Sequence, residues 1–112
     1  MANIYKNKGI NLTTTSLTTI YTVPTDRTAI IKNIQISNEH SSNNLVEVFV
    51  TDTSESTTHE IYHKSLASGE TANAALSAIV LESGDVLKMQ CGTANTVEGL
   101  VSYIEIFDEK ST

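Results

Sequence analysis

The sequence has no tryptophan, one proline (Pro24), one cysteine (Cys91) and only six phenylalanines and tyrosines in 112 residues. A lone cysteine cannot close an intrachain disulfide, so the fold does not depend on an oxidising compartment. No apolar run approaches the ~18 residues that a membrane helix needs. The opening MANIYKNKG also lacks the apolar stretch of a signal peptide. The expectation is a soluble protein with no membrane contact. Basic residues are few, 7 against 13 acidic, for a net charge of −6. Such a surface disfavours direct contact with nucleic-acid phosphates. Glycine-rich phosphate loops, a Walker lysine, a Gly-x-Ser-x-Gly elbow and an EF-hand loop are all missing. The chain is therefore expected to be neither an enzyme nor a carrier of any cofactor.

What is present is a β protein. A chain of this length is one domain, residues 1–112, and can bury roughly 65% of its unfolded surface. Threonine, serine, valine and isoleucine recur in short clusters divided by polar turns, unlike a disordered chain. Turn signals every eight to twelve residues predict about eight short strands. That pattern predicts an all-β fold of antiparallel strands, a β-sandwich or a barrel. No βαβ alternation suggests a parallel sheet.

The organising stretch is residues 20–37, IYTVPTDRTAIIKNIQIS. Pro24 is expected at the first central position of a tight turn, with Asp26 folding back onto nearby amides. In the strand that follows, Ile30, Ile34 and Ile36 share one phase and Ile31 the other. Strict alternation breaks at Lys32-Asn33. Either a bulge resets the phase there, or both faces of the strand are covered.

Residues 1–10 are either an edge strand or an arm reaching a neighbour through Ile4 and Tyr5. Residues 45–51 alternate cleanly, with Val46, Val48 and Val50 inward and Phe49 outward. In residues 59–66, Ile61 and Leu66 are read inward, Tyr62 and Lys64 outward. Residues 67–77, ASGETANAALS, are either a helical turn or a loop crossing between sheets. In residues 97–107, Leu100, Ile104 and Ile106 are read inward. Val101, Tyr103, Glu105 and Phe107 are read outward. Residues 108–112 are a polar tail.

Candidate chemistry is thin. His59 and His63 stand four apart, ~13 Å along a strand, too far to share a metal. Either could meet one across an oligomer axis, but both, like His40, read better as surface polar residues. Cys91 shares a phase with Leu87 and Met89, as a buried free cysteine does. The carboxylates are scattered, and none is singled out as half of a catalytic pair. The Asn11-Leu12-Thr13 sequon matters only in a secreted eukaryotic protein.

The informative residues are apolar ones read outward: Phe49, Tyr62, Val101, Tyr103 and Phe107. A contiguous patch of this kind marks an oligomer interface. On that reading, aspartate at Tyr103 and Phe107 separates the oligomer without unfolding it. The alternative is a reversed phase for residues 97–107, which would put Val101 and Tyr103 in the core.

Taken in order, YTVPTDRTAIIKNIQISN, LASGE, IVLESGDVLKMQ and VEGLVSYIEIF resemble a group of small all-β virion proteins and domains of tailed bacteriophages. The resemblance spans residues 18–107 and implies an antiparallel β-sandwich of jelly-roll or Ig-like type. Its matching positions are structural: Pro24, Thr28, Gly69, Gly84, Asp85 and Glu105. It implies a virion location, a symmetric homo-oligomer (a trimer) and contact with a major capsid protein or another virion protein. The role it implies is capsid decoration (cement) protein. Its alternatives are a neck or tail accessory protein, or a module binding host-surface glycan. A hydrolase with an unrecognised site is the alternative from another class.

Overall fold

A computed structural model describes residues 3–108. The part of the expected polar tail beyond Asp108, like residues 1 and 2, lies outside the described residues. Nine strands follow one another: β1 (Asn3–Leu12), β2 (Thr18–Thr22), β3 (Arg27–Asn38), β4 (Asn44–Asp52), β5 (Thr57–Leu66), β6 (Thr71–Asn73), β7 (Ile79–Leu81), β8 (Val86–Cys91) and β9 (Val97–Phe107). They form two antiparallel sheets. One runs β1-β9-β3, with β6 and β7 both paired to the far side of β3; the other runs β2-β8-β4-β5. The expected β-sandwich is what forms.

Strands β6 and β7 lie along successive parts of β3, Ala72 opposite Ile36 and Val80 opposite Ile30. They act as one strand interrupted by residues 74–78. Counted so, the first strand pairs with the last, the second with the next to last, and so inward to β4 with β5. A long hairpin rolled onto itself gives this order, which is that of a jelly roll.

Alternation explains most of the packing. Val46 and Val48 on β4 meet Leu87, Met89 and Cys91 of β8 on one inner face. Ile31, Ile34 and Ile36 of β3 meet Val97, Val101 and Tyr103 of β9 on the other. The expected break at Lys32-Asn33 is a bulge. Pairing with β9 jumps from Ile31 to Asn33, so Ile31 and Ile34 both point inward despite opposite parity. β9 lies so close to β3 that a Cβ at Gly99 would collide with the backbone carbonyl of Gln35.

Several expectations are corrected. Pro24 is the first residue of its turn, its carbonyl accepting from the Arg27 amide (3.3 Å), and Asp26 takes the left-handed conformation (φ 64°). Residues 67–77 cross between the sheets and contain β6, with no helix among the described residues. β1 pairs with β9 along all ten residues, so this segment is an edge strand of its own sheet and not an arm. On β9 the phase is the reverse of that read from sequence, and on β5 Tyr62 packs inward while Ile61 is exposed.

Polar side chains stitch the two ends. At one end the buried Asn38 amide donates to the Leu66 carbonyl (3.0 Å). The buried Asn44 donates to Thr96 Oγ1 (2.7 Å). At the other, buried Asp85 accepts from the Thr53 and Glu82 amides (3.1 and 2.9 Å) beside Gly84, whose φ of 85° suits glycine.

Between the sheets, Glu105 of β9 is buried. It accepts from Tyr21 Oη of β2 (2.5 Å) and Arg27 Nη1 of β3 (2.5 Å) and pairs with Lys6 Nζ of β1 (3.0 Å). The Tyr21 and Tyr103 rings stack beside it, centroids 4.4 Å apart. Burial raises the Glu105 carboxyl, but the hydrogen bonds from Tyr21, Lys6 and Arg27 outweigh it and hold the group below the usual carboxylate range. The stability this gives is complete above the ordinary carboxylate pKa and is lost as pH falls through the depressed folded value. Glu105→Gln is expected to cost about 2–4 kcal/mol at neutral pH, leaving Lys6 and Arg27 unpaired. Chemical denaturation at several pH values should also show a shallower loss of stability in acid than the wild type.

Candidate assembly surface

The outer face of the five-stranded sheet follows from the alternation that buries the inner one. Outward positions are Asn3, Tyr5, Asn7, Gly9 and Asn11 on β1, and Glu98, Leu100, Ser102, Ile104 and Ile106 on β9. On β3 they are Thr28, Ile30, Asn33, Gln35 and Ser37, and on β7 Val80. Register places four apolar residues in one row across four adjacent strands: Tyr5 opposite Ile104, Ile104 opposite Ile30, Ile30 opposite Val80. The row's ends stand clear of neighbours, Tyr5 77% and Val80 63% exposed, while Ile104 and Ile30 are half-buried. Ile106 lies one row away and Leu100 two. Among the described residues, its charges are Glu98 at one end with Glu39 beside it, Lys32 exposed at the bulge, and Asp108 at the other end, where it accepts from Thr28 Oγ1 (2.6 Å).

The outer face of the four-stranded sheet is different in kind. Glu47 lies opposite His63 and Gln90, and Phe49 opposite Glu60 and Lys88. The bulge at Ile61 brings Glu60 and His63, three apart in sequence, onto the same face. His63 Nδ1 is 3.2 Å from Glu60 and 3.3 Å from Glu47, and Gln90 Nε2 donates to Glu47 (2.9 Å). The hydrogen bond to Glu60 pushes the His63 imidazole up. Glu47, Glu60 and His63 have donor atoms within 4.8 Å of one another, close enough for a divalent cation, but their contacts with each other already account for the cluster.

A cleft of about 440 Å³ opens between β7 and the β4–β5 pair, lined in part by Val50, Asp52, His59, Ile61, Val80 and Asp85. The carboxylates of Asp52, Glu82 and Asp85 converge there. Asp85 holds two loop amides, and Asp52 caps its own turn through the Ser54 and Glu55 amides (3.1 and 3.3 Å). Both shape loops. The cleft's lining has no serine, cysteine or lysine beside His59, among the described residues, to serve as a nucleophile. The β5 bulge turns His59 and His63 to opposite faces. Cys91 is buried, its thiol pushed up by that burial.

The residues singled out from sequence are dispersed. Val101 (0% exposed) and Tyr103 (6%) are core. Tyr62 packs partly into the core from the edge strand, and Ile4 is half-buried in the inner phase of β1. Phe49 is on the charged face. Phe107 ends β9 under the Arg27 guanidinium, 4.3 Å from its ring centre. Of the seven, Tyr5 alone lies on the outer face of the five-stranded sheet. Ile30, Val80, Ile104 and Ile106 were missed there. For Ile104 and Ile106 the signal was present as the second apolar phase of residues 97–107, which was assigned to the core.

No family model and no curated protein matches this chain. Solved structures do. A chain of the T13 IBDV viral particle matches with a TM-score of 0.58 at 6% identity, over 94% of this chain and 31% of that one. A chain of Bacillus endospore appendages, which form disulfide-linked pili, matches with a TM-score of 0.55 at 15% identity, over 96% of this chain and 89% of that one. A chain of the extra small virus VLP of the prawn Macrobrachium rosenbergii is 13% identical over 99% of this chain and 82% of that one, with a TM-score of 0.31. This chain thus spans about a third of the length of the IBDV chain. What is shared with the first two is the fold, a sandwich used in a viral particle and in a spore appendage.

The reversed phase of β9 changes what a charge placed there should do. Tyr103→Asp is expected to destabilise the chain by about 3–5 kcal/mol, as loss of a large buried aromatic does. Val80→Glu should stay within about 0.5 kcal/mol of wild type. Urea unfolding followed by circular dichroism separates the two.

Proposed function

We propose that this chain is a structural subunit of a virus particle, one that works by binding and not by catalysis. The observation that carries the reading is the charge-poor face with its apolar row, on a protein whose net charge is −6. Charge is depleted and aromatic content raised at the centre of protein interfaces. The fold shared with the IBDV chain supports the reading, as does the resemblance of residues 21–38, 79–90 and 97–107 to virion proteins of tailed bacteriophages.

Within that role the chain is a capsid decoration, or cement, protein. It is a homo-oligomer seated on the major capsid protein across neighbouring capsomers. A protein that binds only the assembled shell stabilises it by mass action, about 2.7 kcal/mol per site at a free concentration one hundred times Kd. No covalent step is needed. The likeness to the spore-appendage chain, which covers most of both chains, favours a second reading, a filament subunit. The single buried Cys91 counts against disulfide linkage on that route.

The test is addition of purified protein to mature shells, stripped of it, from the virus that encodes it. Co-sedimentation is expected to saturate at a fixed number of copies per capsomer and to raise the temperature at which the shells open. Protein that leaves shells unbound and instead polymerises, or binds cell-surface polysaccharide, would overturn the reading.

A further inference from the structure

We infer that the outer face of the five-stranded sheet docks a second copy of this chain, face to face across a two-fold axis. The inference rests on the reading of the chain as an assembly subunit and names the partner of that surface.

The argument for a second copy is electrostatic first. Two molecules of net charge −6 repel, and most approaches set carboxylates against carboxylates. The face bearing Tyr5, Ile104, Ile30 and Val80 escapes this. The rows of this face hold asparagine, glutamine, serine, threonine and glycine besides the apolar residues; its charges are Lys32 at the bulge, Glu98 at one end and Asp108, bonded to Thr28, at the other. The opposite sheet, with Glu47 and Glu60 outward, offers no such approach. Strongly basic or acidic partners would find few charges to pair with on this face, whereas an identical face is matched to it.

Size is sufficient. Four strands at ~4.8 Å and eight residues at ~3.4 Å make a face of about 19 by 27 Å, roughly 500 Å² in projection. Two such faces together reach the roughly 1,000 Å² that a specific interface requires. Geometry then favours two-fold symmetry. The row Tyr5–Ile104–Ile30–Val80 crosses four strands, and a copy presenting it meets its best complement in the same row, an isologous contact. Twisted sheets stack face to face with strands within about 30° of each other, so a crossed pair of rows can interdigitate. This contact is a pair, in place of the three-fold ring that the resemblance implies.

The experiment is sedimentation equilibrium of the full chain from micromolar to millimolar concentration, at low and high salt. Three variants accompany the wild type: Tyr5→Glu, Val80→Glu and, on the far sheet, Thr58→Glu. All three sites are exposed, and circular dichroism confirms that each variant is folded. The expected result is a species of twice the 12.1 kDa monomer mass. Its association should be weakened at least tenfold by Tyr5→Glu and by Val80→Glu, and be unmoved by Thr58→Glu. Salt should leave it unchanged or strengthen it. A wild type that stays monomeric, forms a three-fold ring, or associates equally well with both face variants would overturn the inference. Shell binding, measured on the same variants, keeps the two conclusions apart. A monomer that binds shells, and loses that binding with Val80→Glu, would place the shell protein on this face. That outcome overturns the second-copy inference while the virion role stands.

Discussion

A carboxylate taken out of water between two sheets is expensive unless hydrogen bonds and counter-charges surround it. Glu105 meets that condition with partners from three other strands, Lys6 on β1, Tyr21 on β2 and Arg27 on β3. Tyr21 belongs to the opposite sheet, so the cluster locks the sheets to each other as well as the strands within one sheet. Its position also decides how β9 is oriented. With Glu105 inward, Val101 and Tyr103 must be inward too, and Ile104 and Ile106 must face out. The apolar outer row therefore follows from one buried charge.

The same residue explains where sequence reasoning succeeded and where it did not. The two-sheet class was legible because alternation and turn spacing are local. The bulge at Lys32-Asn33 was legible for the same reason: four isoleucines in conflicting phases admit few solutions. The phase of residues 97–107 was not, because both phases are apolar and Glu105 marks the wrong one as solvent-facing. Its partners are 78 to 99 positions away in the chain, and no local pattern announces them. Tyr62 was misplaced because an extra residue at Ile61 shifts the strand by one. Val80 escaped notice because β7 has three residues, too few to show a period. The outer row is a product of register between distant strands, and periodicity carries no register.

The two outer faces divide the labour of the surface. Charged and titratable groups gather on β4, β5 and β8, where Glu47, Glu60, His63 and Lys88 keep one face hydrated. The other face is mostly amides, hydroxyls and a few large apolar side chains, with Lys32 at the bulge and Glu98 and Asp108 at its two ends. Such asymmetry on a small acidic domain fits a protein with one wet side and one covered side.

The rolled-up pairing has a kinetic consequence. β9, the last of the described strands along the chain, lies between β1 and β3, and β1 pairs with no other strand. Until residues 97–107 emerge from the ribosome, β1 cannot join its sheet and β3 lacks its longest partner. The five-stranded sheet must wait for β9, with its β-rich segments exposed meanwhile. High contact order of this kind slows folding to the millisecond-to-second range and invites association between incomplete chains. The order of strands along the chain thus bears on folding yield as directly as the contacts in the finished sandwich.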